Sequence, residues 1–183
     1  MIPKLKDLLR EAQLSKYQIF SPGTGGGMFH SMKFNPEKLP TGELRIYSRY
    51  DKDGACFNKP YNAFWTSSYK QKFKGTAWTD LKKKKYPEWH TGEGAVFEIV
   101  GSPKILKIKN HNDYLKIQKK FSQNAESCPS GELYLDWRKL SKKYDGFQLA
   151  GSKYSAPLLA QWDVESTCWF NMKKLKFVGT TKV

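Results

Sequence analysis

Apolar residues in this chain recur at two periods, and the periods divide it into elements. Leu5, Leu8, Leu9 and Ala12 sit at helical spacing between Lys4 and Lys16, which predicts a short amphipathic N-terminal helix. After Pro40 and Gly42 the pattern changes to alternation. GELRIYSR, residues 42–49, reads as a strand with Arg45, Tyr47 and Arg49 on one face and Leu44, Ile46 and Ser48 on the other. A turn at Pro60 and Asn62 leads into FWTSSY, which places Phe64, Thr66 and Ser68 on one side and Trp65 and Ser67 on the other. AVFEIV from Ala95 and KILKIK over residues 104–109 are two further strands. Asn112 is read as the cap of a helix DYLKIQKKF. LDWRKLSKKY is another short helix, closed by the Asp145-Gly146 turn into the strand FQLA. LLAQWDVESTCWF and LKFVG are the last strands, and no internal repeat occurs. Many short strands with interspersed short helices predict an α+β fold, two small packed β-sheets with short flanking helices. A chain of 183 residues fits a single domain over residues 1–183. Residues 1–41 would hold the N-terminal helix and a glycine-rich loop, and residues 42–178 the core.

One strand breaks the rule that buried strands are apolar. In QWDVESTCWF, residues 161–170, alternation puts Gln161, Asp163, Glu165 and Thr167 along one side, with Trp162, Val164 and Ser166 along the other. Two carboxylates and two further polar groups on one face of a buried strand form the wall of a site.

Charge widens the picture. Lys and Arg number 32 against 17 Asp and Glu, a formal net charge of +15, with a pI near 9.6. Such a surplus favours polyanionic partners, nucleic acid or an acidic protein surface. Only Arg10, Arg45, Arg49 and Arg138 are arginine, however, a skew that an AT-rich genome would produce without selection for binding. Lysines cluster at 70–85, 104–120, 138–143 and 173–176, and Phe73, Trp78, Tyr86 and Trp89 interleave with the first of these runs. Aromatic faces among lysines can stack bases over a basic track, and can equally anchor a helix to a sheet.

The remaining signals narrow the chemistry. Three cysteines without CxxC spacing indicate neither a disulfide framework nor a zinc site, and point to a reducing compartment. His30, His90 and His111 have no metal-ligand spacing, so no metal is expected. SPGTGGG, residues 21–27, lacks the Lys-Ser/Thr of a P-loop and reads as a linker or lid. The N-terminal residues show no secretory leader, and no apolar run is long enough for a membrane span. A soluble, cytoplasmic protein without a membrane partner is the expectation.

The order of LRIYSR, FWTSS and DVE resembles the Arg, Ser-Thr-Ser and Gln/Glu-x-Glu elements of mono-ADP-ribosyltransferases. The surrounding KPxxxFWTS, KILKI, YDGF and WDVESTxWF are similar to a set of uncharacterised bacterial and phage proteins near that superfamily. The likeness spans residues 42–178 and rests on the order and spacing of short motifs. It implies an ADP-ribosyltransferase-like fold, with NAD as a substrate and an ADP-ribosyl group transferred to a macromolecular acceptor, in the manner of a toxin or host-modifying effector. It further implies that Glu165 stabilises the cationic sugar formed as nicotinamide leaves. Arg45 or Arg49 would hold NAD phosphate or ribose, Thr66 and Ser67 would support the glutamate, and Trp65 or Tyr47 would stack on nicotinamide. Asp163, two before the glutamate, occupies the position associated with acceptor choice, where the family usually carries Gln or Glu. Two other readings stay open: an NAD glycohydrolase, and a noncatalytic nucleic-acid-binding module whose lysines track phosphates.

Overall fold

The computed structural model describes residues 17–20, 39–50, 56–68, 76–85, 87, 93–123, 134–150 and 165–182. The N-terminal helix expected over residues 4–16 and the glycine-rich loop at 21–27 lie outside the described residues, as does Asp163.

Strands dominate. In chain order they are β1 (Tyr17–Phe20), β2 (Tyr47–Tyr50), β3 (Cys56–Tyr61), β4 (Phe64–Ser68), β5 (Glu93–Ile99), β6 (Ile105–Ile108), β7 (Ser122–Gln123), β8 (Tyr134–Leu135), β9 (Gly146–Leu149), β10 (Ser166–Trp169) and β11 (Leu175–Lys182). The helices are α1 (Ala77–Lys85), α2 (His111–Phe121) and α3 (Trp137–Ser141). The mixed α and β composition follows the alternation in the sequence. Two small sheets and a few short helices accompany it, as expected: β2-β3 and β7-β8 are two-stranded, and the remaining seven strands join in the order β11-β5-β1-β4-β10-β9-β6.

Strand β4 is the hinge of this arrangement. Its first half, Phe64–Thr66, pairs with β10, and its last two residues, Ser67 and Ser68, pair with β1. Laid flat, seven strands at about 4.8 Å per step would separate the two edges by about 29 Å. Yet Ile105 from edge strand β6 and Leu175 and Phe177 from edge strand β11 pack against one cluster of Phe64, Ala95, Phe97, Trp169 and Met172. The sheet therefore curls until its two halves share an apolar filling on one face. Phe64 and Phe97 meet edge to face across it, centroids 5.2 Å apart.

The opposite face carries α2 and α3. Trp65, Phe147, Leu149, Cys168 and Ile108 from the sheet pack with Tyr114, Ile117 and Phe121 of α2 and Trp137 and Leu140 of α3. Each helix starts at a side-chain cap. Asn110 Oδ1 accepts from the Asp113 N–H, and Asp113 Oδ2 accepts from the N–H of Lys109, the residue before the cap; the cap thus lies two residues before the expected Asn112, and α2 begins at His111. The Asn110 bond satisfies an amide that the first turn leaves without a helical partner. Asp136 caps α3 through the Lys139 N–H. Thr76 and Thr79 exchange backbone and hydroxyl bonds at the start of α1.

Two features of β9 and β10 have measurable consequences. A Cβ built on Gly146 would lie 2.9 Å from the Cys168 carbonyl oxygen and 3.1 Å from Ile105 Cδ1. The first neighbour is backbone, and β9 is held between β10 and β6, so neither side can yield cheaply. Gly146→Ala is expected to destabilise by about 1–3 kcal/mol as overpacking, read as a lower denaturant midpoint; an unchanged midpoint would show that β9 shifts freely. Next to it, Cys168 is fully buried. Burial pushes its thiol well above the ordinary range, against smaller opposing contributions from backbone hydrogen bonds at Phe147 and Cys168 itself. Because the thiolate is the reactive form, alkylation of the Cys168 peptide should lag far behind that in unfolded protein. Rapid labelling of Cys168 under native conditions, followed by mass spectrometry, would contradict this.

Candidate carboxylate site on the shared strand

The alternation that fills one end of the curled face with aromatics fills the other end with polar groups. Register places Thr66 of β4 beside Thr167 of β10, Thr167 beside Gln148 of β9, and Gln148 beside Lys107 of β6. Side chains directly opposite across a ladder share a face, so these four form a row running across four strands. The next row, one residue pair along, is Phe64, Trp169, Gly146 and Ile105, which belongs to the apolar filling. Trp169 links the two rows: its indole Nε1 donates to Thr66 Oγ1 at 2.8 Å.

Extending the β4–β10 register by one step sets Glu165 opposite Ser68, and the hydrogen bonds agree. Glu165 Oε2 accepts from the Ser68 N–H at 3.1 Å. Glu165 Oε1 accepts from Ser68 Oγ at 2.9 Å and from Gln148 Nε2 at 3.1 Å. Ser67, on the other side of β4, donates through Oγ to the Glu165 backbone carbonyl at 3.0 Å. Both the backbone and the carboxylate of this half-buried residue are thus fixed from two neighbouring strands. An ionised carboxylate offers about four acceptor sites, so three protein donors orient it and leave acceptor capacity for something else.

Unused polar capacity surrounds it. Gln148 Oε1 and Thr167 Oγ1 are buried and make no hydrogen bond among the described residues. Buried polar groups are nearly always paired; the indole N–H groups of Trp65, Trp78 and Trp137 share this condition, and what sets the Gln148 and Thr167 atoms apart is that they lie beside an anchored carboxylate. Lys107, at the far end of the row, has its pKa lowered by burial and secondarily by the neighbouring Lys109 charge.

The residues expected from sequence divide. Glu165, Thr66 and Ser67 come together, although the side chains that grip the carboxylate are Ser68 and Gln148, and Thr66 instead receives the Trp169 indole. Trp65 lies on the helix side, 2% exposed and within the α2–α3 cluster, with Lys59 Nζ 6.0 Å from its ring centroid. It does not share the face of the carboxylate. The strand expected at residues 42–49 is shorter and elsewhere: only Tyr47–Tyr50 is strand, paired with β3, and the neighbour of β4 opposite β10 is β1. Arg45 precedes that strand, stacks over Tyr47 at 5.3 Å, and follows Leu44, whose N–H donates to the Phe170 carbonyl. Phe170 closes β10 at the end opposite Glu165, about 16 Å away at strand rise. The structure therefore does not bring Arg45 and Tyr47 to the carboxylate. The backbone of Arg49 pairs with Phe57 in the same ribbon, and its side chain is outside the described residues.

Gln148 carried a signal in the sequence. It is a lone amide between Phe147 and Leu149 in a strand buried at all four positions, the same kind of exception that marks Glu165. Among the described residues no three His, Cys, Asp or Glu side chains gather as a metal-binding group, and no helix is long and apolar enough to cross a membrane. Comparison with models of protein families, with curated proteins and with solved structures finds no match to this chain.

Proposed function

We propose that the protein is an NAD-dependent mono-ADP-ribosyltransferase in which Glu165 is the catalytic carboxylate. The observation that supports this is the fixed carboxylate itself, oriented by Ser68 and Gln148 on strands either side of β10, with the unpaired Thr167 hydroxyl and Gln148 carbonyl beside it. In the reaction the bond between nicotinamide nitrogen and ribose C1 breaks, and its electron pair leaves with nicotinamide. The sugar becomes cationic at C1. A carboxylate already held in place stabilises that charge more than it stabilises the ground state, and needs no reorganisation to do so. The acceptor nucleophile then bonds to C1 and loses its proton. Hydroxyl and amide groups such as those of Thr167 and Gln148 suit the ribose hydroxyls, which both donate and accept hydrogen bonds.

The acceptor in this reading is a polyanionic macromolecule, nucleic acid or a protein bound to it, in keeping with the net charge of +15. If water replaces it, the same site is an NAD glycohydrolase. Wild-type protein incubated with labelled NAD, alone and with DNA, RNA or lysate protein, distinguishes these outcomes. Nicotinamide release with label on an acceptor is the expected result; release without transfer identifies a hydrolase; no release under any condition removes the enzymatic reading and favours a noncatalytic binding module.

A further inference from the structure

A concave feature lies at the end of β10 opposite Glu165. It is a groove of about 520 Å³ between the segment leading into β2, the C-terminal end of α3 and the start of β9. Five cationic side chains line it, Arg45, Lys104, Arg138, Lys142 and Lys143, against two acids, Glu43 and Asp145. All five are exposed. Of the two acids, Asp145 is committed to the fold. Its Oδ2 accepts from the Lys104 N–H and its Oδ1 from Asn171 Nδ2, both at 2.8 Å. Its carbonyl accepts from the N–H groups of Phe170 and Asn171. These bonds tie β6, β9 and β10 together under the groove, so its floor is set before any ligand arrives.

From this we infer that the groove binds the sugar-phosphate backbone of single-stranded nucleic acid. Two of the five cations are arginines, drawn from the four in the whole chain, and a guanidinium fork matches phosphate oxygens in pairs where an ammonium does not. One ring lines the groove with the cations: Tyr144, with Lys104 Nζ 5.2 Å from its centroid. Cations beside an aromatic ring suit phosphates and bases together, whereas an acidic peptide would use the cations alone. Concavity selects the strandedness. A duplex is a rod whose bases are read by elements that protrude into its grooves, while a hollow of this size admits unpaired nucleotides. Binding at this groove is read separately from NAD turnover at Glu165, so either can fail without the other.

Fluorescence anisotropy of the full chain with labelled oligo-dT and oligo-rU of equal length, over a salt series, tests the site. The arms are Arg45→Gln, Arg138→Gln, Lys142→Gln and Lys143→Gln combined, and an equal charge change on exposed lysines of α1 and α2, Lys83, Lys84, Lys116 and Lys119 to Gln. The groove variant should lower the slope of log affinity against log salt by roughly 0.7 for each phosphate contact removed, and weaken binding about tenfold or more at moderate salt. The α1–α2 variant should keep most of the slope. Arg138→Gln alone gives the same readout with a smaller change should the fourfold variant fold poorly. Equal losses in the two fourfold variants would attribute binding to net charge and overturn the site, as would wild-type affinity for polyglutamate or for duplex equal to that for the single strands. The dT and rU arms then tell DNA from RNA.

Discussion

Glu165→Gln is expected to reduce nicotinamide release from NAD by about a hundredfold or more while leaving the fold intact. The substitution keeps the side chain's size, removes its charge and exchanges one acceptor oxygen for an NH2 donor. With the amide oxygen in the Oε1 position Ser68 Oγ and Gln148 Nε2 keep their acceptor and only the Ser68 N–H loses one, while the Ser67 bond to the backbone carbonyl of residue 165 is untouched. The cost therefore falls on the cationic transition state. A purely structural carboxylate makes the opposite forecast: lower stability, because β4, β10 and β9 are tied through it, with equal turnover per folded molecule. Measuring nicotinamide release and the thermal midpoint on the same preparations separates the two.

Phe147→Ala is expected to destabilise the fold by about 3–5 kcal/mol. Phe147 is fully buried and meets Trp137 edge to face, centroids 5.0 Å apart. Trp137 in turn contacts Phe170. Deleting the ring opens a cavity between β9 and α3 that neither the capped helix nor β9, paired on both sides, can close. For a domain of this size the thermal midpoint should fall by roughly 6–20 °C, recorded by circular dichroism. A shift of only a degree or two would mean that α3 is not held by this contact.

Much of the strand content was legible because alternation is a local property. FWTSS reads as a strand with defined faces from alternation alone, and Glu165 stands out in the sequence because an acid in an apolar strand is an exception. What could not be read is which strands lie together. Ser68 and Gln148 grip Glu165 across 97 and 17 residues of chain, and only register brings them there. LRIYSR misled for the same reason: its pattern suits a strand, but its partner is β3, and the place beside β4 is taken by the four residues of β1. The α2 cap was legible in principle. Asn110 is as good a capping residue as Asn112, and its side chain accepts from the amide three residues on, that of Asp113.

The most direct test of Glu165 as the catalytic centre is an NMR titration of isotope-labelled protein with NAD. The account predicts that backbone amides of Thr66, Ser68, Gln148, Ser166 and Thr167 shift with a common saturation curve, while those of Lys104, Lys142 and Asn171 at the far groove stay in place. Shifts confined to the groove, or none at the carboxylate row at saturating NAD, would contradict it.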